Sequence, residues 1–293
     1  MTTSGKINSK KVKKAFFIVC MLAIPVINLI VFWFYVNIDS ILLAFQSNQP
    51  GVGTVWGFEN FRRFFEEFSL PDSEIPIALR NTIIFFFSNL CITLPLSVAL
   101  CYFLYKRICG YKAFRFIFYL PSIISASVYV VLFKYIIGMD GPVGLFCKAI
   151  GIEPVSFLNE SRYALGTILF YTIFTGLGGN IVMLSGAMSH IDESIVEAAK
   201  IDGATLRCEF FRIVLPLVWP TLSTMIILSF VGIFASSGPI LLFTEGANGT
   251  NTISYWLYAQ VQRWQVYNYP SAVGLFFTCI GAVSYTHLRA HET

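Results

Sequence analysis

The chain has 293 residues, of which 56% are hydrophobic and only 12% are charged, and its formal net charge is +4. Soluble domains carry roughly 25% charged residues, so this composition excludes an ordinary globular domain and indicates a protein of the lipid bilayer. The small positive charge is spread over the flanks of apolar runs and forms no basic patch. We therefore expect membrane lipid as a partner and no nucleic acid.

Several apolar runs are long enough to cross a bilayer, which takes about 20 residues in a helix. A helix satisfies its own backbone hydrogen bonds in lipid, so we predict an all-α integral membrane protein with six transmembrane helices. The first run follows five lysines but is too long for a signal-peptide core, so residues 1–14 are interpreted as a basic terminus before a retained span. The predicted spans are residues 15–38, 81–105, 114–137, 164–188, 214–236 and 271–283.

Basic residues are distributed unequally between the two sides of these spans. If the N-terminus is cytoplasmic, the inner segments contain twelve lysines and arginines and the outer segments contain seven. The positive-inside rule therefore predicts a multi-pass protein with a cytoplasmic N-terminus.

The first five predicted spans have no Asp, Glu, Lys, Arg or His over most or all of their length. Ion-coupled carriers and intramembrane enzymes place such residues at mid-membrane, so both classes remain only as disfavoured alternatives. The chain also has no glycine-rich phosphate loop, and its seven cysteines lack metal-ligand spacing. We expect no catalytic residue, no metal and no cofactor, and ATP hydrolysis, if any, on a partner.

The segment between the fourth and fifth predicted spans contains several helix-end signals. Ser189 or Asp192 can cap a first short helix, and Thr205 can cap a second. Gly203 stands where a helix end needs a left-handed residue. One helical face, by i, i+3, i+4, i+7 spacing, consists of Ile195, Ala198, Ala199 and Asp202.

This small-sided face is suited to close docking against another protein. The alternative is an amphipathic segment on the lipid surface, with Lys200, Arg207 and Arg212 touching anionic headgroups.

The same segment has the spacing Glu-Ala-Ala, three residues, Gly, nine residues, Ile, one residue, Leu-Pro. This pattern resembles the loop of binding-protein-dependent ABC importer permeases. The resemblance implies a MetI-like permease fold, in which the loop, with Asp202, is a coupling helix resting on an ATPase subunit. It also implies a bacterial cell (inner) membrane, a second permease subunit and an external solute-binding protein. The matching positions are Glu197, Ala198, Ala199, Gly203, Ile213, Leu215 and Pro216.

Other segments are similar to the carbohydrate branch of this family, which includes maltose and multiple-sugar permeases. They are residues 56–61, 80–82, 118–121 and 242–250. The resemblance implies a sugar or oligosaccharide as cargo, with glycerol phosphate or another small polar solute as the alternative. In relatives, a loop from the last of these regions reaches toward the binding protein; a flexible surface loop is the alternative.

A neutral sugar is held by hydrogen-bonding side chains and aromatic faces. Polar side chains within the predicted spans are therefore candidates for a substrate pathway, because an amide in hydrocarbon must find a partner. Such groups also hold helices together in bilayers, and the partner permease is an alternative location for the sugar. The preferred candidates are Asn89, Tyr129, Asn180 and Ser229.

The end of the sequence differs from the rest. The last predicted span, residues 271–283, reaches less than about 20 Å at 1.5 Å per residue, which is too short for a bilayer, so we interpret it as truncated. Residues 284–293 then break the apolar composition and include His287 and His291. We predict that these ten residues are a non-native tail.

Overall fold

Helices occupy most of the part of the chain that the structure, a computed structural model, describes: residues 9–49, 53–70, 73–235 and 238–290. In the first half, a short antiparallel hairpin pairs Gln46 with Trp56 and Gln49 with Gly53. The elements there are α1 (Ser9–Asn28), α2 (Val36–Ala44), β1 (Gln46–Gln49), β2 (Gly53–Trp56), α3 (Glu59–Phe68), α4 (Glu74–Ser88), α5 (Leu94–Tyr105) and α6 (Tyr111–Ile123).

In the described part of the second half, every regular element is a helix. These elements are α7 (Ala126–Ile137), α8 (Pro142–Ala149), α9 (Ser161–Ser189), α10 (Glu193–Ile201), α11 (Leu206–Glu209), α12 (Leu215–Val231), α13 (Ile240–Phe243), α14 (Ile253–Trp264) and α15 (Asn268–Ala290). We call the end of the helical bundle that carries α10 the α10 end.

Within the described residues, five helical stretches are long and apolar enough to cross a membrane. They are Lys13–Ala44, Glu74–Tyr105, Ala126–Ala149, Ser161–Ser189 and Leu206–Val231. A shorter apolar helix, Asn268–Val283, lies within α15. The predicted all-α membrane architecture is confirmed. The tail prediction for residues 284–293 stays a prediction; residues 291–293 lie outside the described part.

Two of the spans contain a wide π-helical turn immediately before a proline. Asn89–Thr93 precedes Pro95, and Phe210–Val214 precedes Pro216. A proline has no N–H, and its ring clashes with the carbonyl four residues earlier. A locally wider turn relieves that clash, so each span passes its proline without ending.

The third predicted span differs from the expectation of one helix over residues 114–137. α6 ends at Ile123 and α7 begins at Ala126, because the backbone is extended at Ile124 and Ser125 (ψ of 142° and 133°). Pro121 lies in the last turn of α6 and removes one of its hydrogen bonds. The fifth span also differs, because it begins at Leu206 rather than at residue 214.

Among the described residues, the largest cluster of buried side chains lies where α5, α9 and α12 meet. Leu184 and Met188 of α9 are fully buried there, together with Val214. α15 packs against α2, α3 and α12. In contrast, the turn Leu29–Tyr35 in the first span has no buried residue, so this part of the span is exposed along its whole circumference.

The segment after α13 is fixed by side chains from distant parts of the chain. The fully buried Asn81 donates to the carbonyls of Gly249 and Asn251, at 2.7 and 2.8 Å. Asn248 donates to the carbonyl of Leu158 at 2.8 Å. Two segments that the sequence analysis named separately therefore contact each other, namely residues 80–82 and 242–250. The segment after α13 is therefore anchored at these points to distant parts of the chain.

Candidate functional site

The segment of residues 189–213, here called the α10 loop, begins with a capped helix. The Asp192 carboxylate accepts a hydrogen bond from the backbone N–H of Ser194 at 3.0 Å. This backbone bond lowers the pKa of the Asp192 carboxyl below its usual value, so the charged form is favoured at the positive end of α10. The other candidate cap, Ser189, instead donates to the carbonyl of Gly186 at 2.7 Å.

The end of α10 is a Schellman motif centred on Gly203. The N–H of Gly203 bonds the carbonyl of Lys200 at 3.1 Å, and the N–H of Ala204 bonds that of Ala199 at 2.9 Å. Gly203 has a φ of +78°, and a Cβ added there would have no heavy atom within 4 Å. The position therefore needs glycine for its backbone conformation and not for space. Thr205 then caps α11 through a bond from the N–H of Cys208.

The two faces of α10 differ from the predicted arrangement in one residue. Val196 and Ala199 are buried against the bundle, so Ala199 does not share a free face with Ile195, Ala198 and Asp202, which are all exposed. The prediction was wrong for Ala199 because spacing defines a face without showing which side meets the protein. The outward surface instead gains Ile201, which is 86% exposed.

The remaining family-motif positions lie where the α10 loop joins the membrane span. Glu197 is exposed on α10. Ile213 is in the π-helical turn, and Leu215 and Pro216 begin α12. α11, this turn and α12 are contiguous from Leu206 to Val231. The second short helix of the α10 loop therefore continues directly into the fifth span, and the two form one helical rod.

A buried ion pair attaches this rod to the end of α5. The Lys106 ammonium lies 2.6 Å from one carboxylate oxygen of Glu209 and donates to the other at 2.7 Å. Their side chains are 16% and 3% exposed. Tyr102 adds a hydrogen bond to the carbonyl of Leu206 at 3.3 Å and a ring contact with Phe210. Sequence reasoning missed this pair, because 103 positions separate its members.

A cavity of about 300 Å³, lined by apolar and by uncharged polar side chains, lies between α4, α9 and α12. It contains two of the four predicted pathway residues, since the Asn89 amide donates to the Ser229 hydroxyl at 3.2 Å. None of the described residues that line it is ionisable. The other hydrogen-bonding side chains of the lining are Thr82, Thr172 and Thr252, and the aromatic ones are Phe85 and Phe86.

The other two predicted pathway residues lie outside the lining of this cavity. Asn180 donates to the Ser97 hydroxyl at 3.3 Å and links α9 to α5. Tyr129 packs beside Tyr171 within an apolar cluster, with ring centroids 5.6 Å apart. Thr82 and Thr252 were missed because Thr82 is at the start of a predicted span and Thr252 lies outside the spans altogether. Only the fold brings them next to Asn89.

Comparisons with known proteins place this geometry in a family. The family model described as "Binding-protein-dependent transport system inner membrane component" matches residues 105–291. The lactose transport system permease protein LacF of Rhizobium radiobacter is 30% identical over 268 residues, which cover 88% of each chain. The arabinooligosaccharides transport system permease protein AraP of Bacillus subtilis (strain 168) is 23% identical, over 85% of this chain and 80% of that protein.

The fold is also that of a solved transporter. A chain of a bacterial ABC transporter involved in the import of the acidic polysaccharide alginate superposes with a TM-score of 0.83, at 22% identity, over 96% of each chain. The membrane spans, the sequence motif of the α10 loop and these matches all indicate the same family. The chain belongs to the family of inner membrane components of binding-protein-dependent transport systems.

Proposed function

We propose that the chain is a transmembrane permease subunit of an ABC importer for a sugar or oligosaccharide. A second permease subunit completes the pathway, ATP is hydrolysed on partner subunits, and an external binding protein delivers the cargo. The observation that carries the choice of cargo is the cavity around Asn89 and Ser229, which offers amide and hydroxyl groups and phenyl rings without an ionisable side chain. The choice of a sugar is also supported by the similar proteins LacF and AraP, which are named for the transport of lactose and of arabinooligosaccharides.

The lining of this cavity disfavours a phosphorylated cargo. A phosphate group is normally bound by arginine, lysine or a helix N-terminus, and none of the described lining residues is basic. Sugar hydroxyls instead exchange hydrogen bonds with neutral amides and hydroxyls, and the faces of a sugar ring contact phenyl groups. The cavity thus matches a neutral sugar unit in chemistry.

The α10 loop is proposed to be the contact with the ATPase, on the cytoplasmic side. The excess of basic residues in the segments on the same side as this loop supports that orientation. Its outward surface presents Ile195 and Ile201, which are 42% and 86% exposed, beside Glu197, Ala198 and Asp202. Small and apolar groups exposed on a short, firmly capped helix are suited to a groove in another protein.

The proposed cargo is tested by uptake in a strain that carries the transporter genes on a plasmid and lacks its chromosomal copy. We expect radiolabelled neutral oligosaccharides to enter, and unlabelled neutral sugars to compete for entry. Glycerol phosphate should not compete. Uptake of glycerol phosphate that neutral sugars leave unchanged would contradict the sugar assignment while preserving the permease assignment.

A further inference from the structure

A second and larger cavity, of about 920 Å³, lies at the α10 end. It is bounded by the end of α5, the start of α6, the end of α9 and one side of α10. It is separate from the cavity around Asn89 and shares none of its lining residues. The proposed transport of a sugar gives it no role.

The charge of this cavity is strongly unbalanced. Four of its lining residues are basic, namely Lys106, Arg107, Arg115 and Lys200, and Glu193 is the acidic one among the described lining residues. Lys106 is neutralised by Glu209. The Arg115 guanidinium lies 5.9 Å from the centre of the Tyr119 ring, a contact that leaves its N–H groups available to an anion. The cavity is therefore an attractive site for a negatively charged group.

Part of the cavity lining presents apolar surface beside the basic rim. Cys101, Leu104, Met188 and Val196 lie behind the surface and are already packed in the protein. The accessible apolar surface comes from the half-buried lining residues Tyr105, Tyr111 and Ile191. A molecule with a charged head and an apolar body would contact both the basic rim and this surface, whereas an inorganic anion would contact the rim alone.

The cavity also lies at the edge of the membrane. Arg107 belongs to the turn that joins two apolar helices, α5 ending at Tyr105 and α6 beginning at Tyr111. α6 exposes Phe116 and Ile117, at 64% and 48%, as expected for a helix that faces lipid tails. Arg107 has a φ of +52°, a conformation that residues other than glycine rarely adopt and that occurs disproportionately at functional sites.

We propose that this cavity binds the headgroup of an anionic phospholipid, such as phosphatidylglycerol. Arg107, Arg115 and Lys200 contact the phosphate, and the glycerol and upper acyl carbons lie against the half-buried Tyr105, Tyr111 and Ile191. Basic pockets between membrane helices are suited to such headgroups, and arginine binds phosphate oxygens through two parallel hydrogen bonds. The proposal does not depend on the identity of the cargo.

The test compares lipid retention in two double variants. The full chain, in the complex in which it purifies, is placed in nanodiscs of phosphatidylglycerol and phosphatidylcholine, and the retained lipids are measured by native mass spectrometry after extraction. In Arg107→Ala/Arg115→Ala, retained phosphatidylglycerol should fall by at least about tenfold. The matched control is Lys112→Ala/Arg212→Ala, which removes two exposed basic residues from the same end outside the cavity and should retain the lipid.

Further arms separate the lipid from other anions. Inorganic phosphate added at millimolar concentration should leave phosphatidylglycerol bound. Displacement of the lipid by phosphate, or equal retention in the two double variants, would overturn the proposal. The same holds if the chain retains the lipid when purified alone but loses it when the ATPase is added, because an acidic segment of that subunit would then be the occupant.

Discussion

The α10 loop and the cavity around Asn89 are assembled in different ways. The loop is a continuous segment whose caps at Asp192, Gly203 and Thr205 bond residues within five positions. The cavity joins Thr82 of α4, Asn89 of the following turn, Thr172 of α9 and Ser229 of α12, and its central hydrogen bond spans 140 positions. A loop of the first kind folds by local rules, and a cavity of the second kind exists only when the spans pack correctly.

This difference has consequences for mutation. The internal structure of the α10 loop should tolerate changes in the membrane spans, but its position relative to the bundle depends on a small set of contacts, which include the Lys106–Glu209 pair and the buried Val196 and Ala199. The cavity instead depends on the packing of several spans. We therefore expect large effects at the attachment of the loop and smaller, more specific effects in the cavity.

The largest effect is expected for Glu209→Ala, which leaves Lys106 in a largely buried position without its partner. Removing one member of a buried pair costs about 3–5 kcal/mol. The detergent-purified protein should lose much of its thermal stability and should no longer hold the ATPase. The control is Glu245→Ala, which breaks the exposed pair with Arg263 and should cost at most about 1 kcal/mol. Equal melting temperatures for the two variants would contradict the role of the buried pair.

Two glycines with the same backbone conformation allow the effect of backbone strain to be distinguished from an effect on ATPase docking. Gly203 and Gly151 both have a φ of +78°, and a Cβ at either position meets nothing within 4 Å. Valine at each site should therefore cost a similar 1–2 kcal/mol of local strain. Only Gly203→Val should weaken ATPase co-purification and uptake, because only Gly203 lies in the proposed docking segment. The expected weakening is roughly tenfold, which corresponds to a loss of about 1.4 kcal/mol of docking free energy.

The Gly203 experiment also tests the alternative in which the α10 loop lies on lipid. In that case both valine variants would transport normally. Neutralising Lys200, Arg207 and Arg212 would then have the larger effect on uptake.

Two asparagines provide the corresponding comparison for the cavity. Asn89 and Asn180 each donate to a serine hydroxyl, at 3.2 and 3.3 Å, but only Asn89 lines the cavity. Leucine at either position removes one interhelical hydrogen bond, worth about 0.6 kcal/mol in a membrane protein. Asn89→Leu should in addition raise the half-saturating sugar concentration by roughly fivefold, for about 1 kcal/mol of lost substrate contact. A matching rise in Asn180→Leu would show a general packing defect instead.

These comparisons show how far sequence alone reaches. The caps of the α10 loop are predictable, because each depends on a side chain and a backbone group a few positions apart. The burial of Ala199 and the Lys106–Glu209 pair are not predictable, because both depend on where the bundle lies relative to the loop. Polarity identified Asn89 and Ser229 as pathway candidates, but it also selected Asn180 and Tyr129, since polarity alone does not distinguish a cavity from a helix contact.

The smallest effect is expected at Asp192, where the side chain is exposed and acts only as a cap. The pKa of this carboxyl is lowered in the folded chain by its backbone hydrogen bond from Ser194. Its contribution is therefore present above the unfolded pKa and is lost as the pH falls through the lower, folded value. Near pH 7 the charged cap is complete.

We therefore expect Asp192→Asn to transport normally near pH 7, because asparagine caps helices about as well as aspartate. Asp192→Ala should reduce ATPase co-purification by no more than a fewfold, since Gly203 and the buried face of α10 keep the helix in place. Hydrogen exchange of the Ser194 amide measures the cap directly and should be faster in Asp192→Ala than in Asp192→Asn. Identical exchange in the two variants would mean that the carboxylate does not hold the start of α10, and that Val196 and Ala199 alone fix the helix against the bundle.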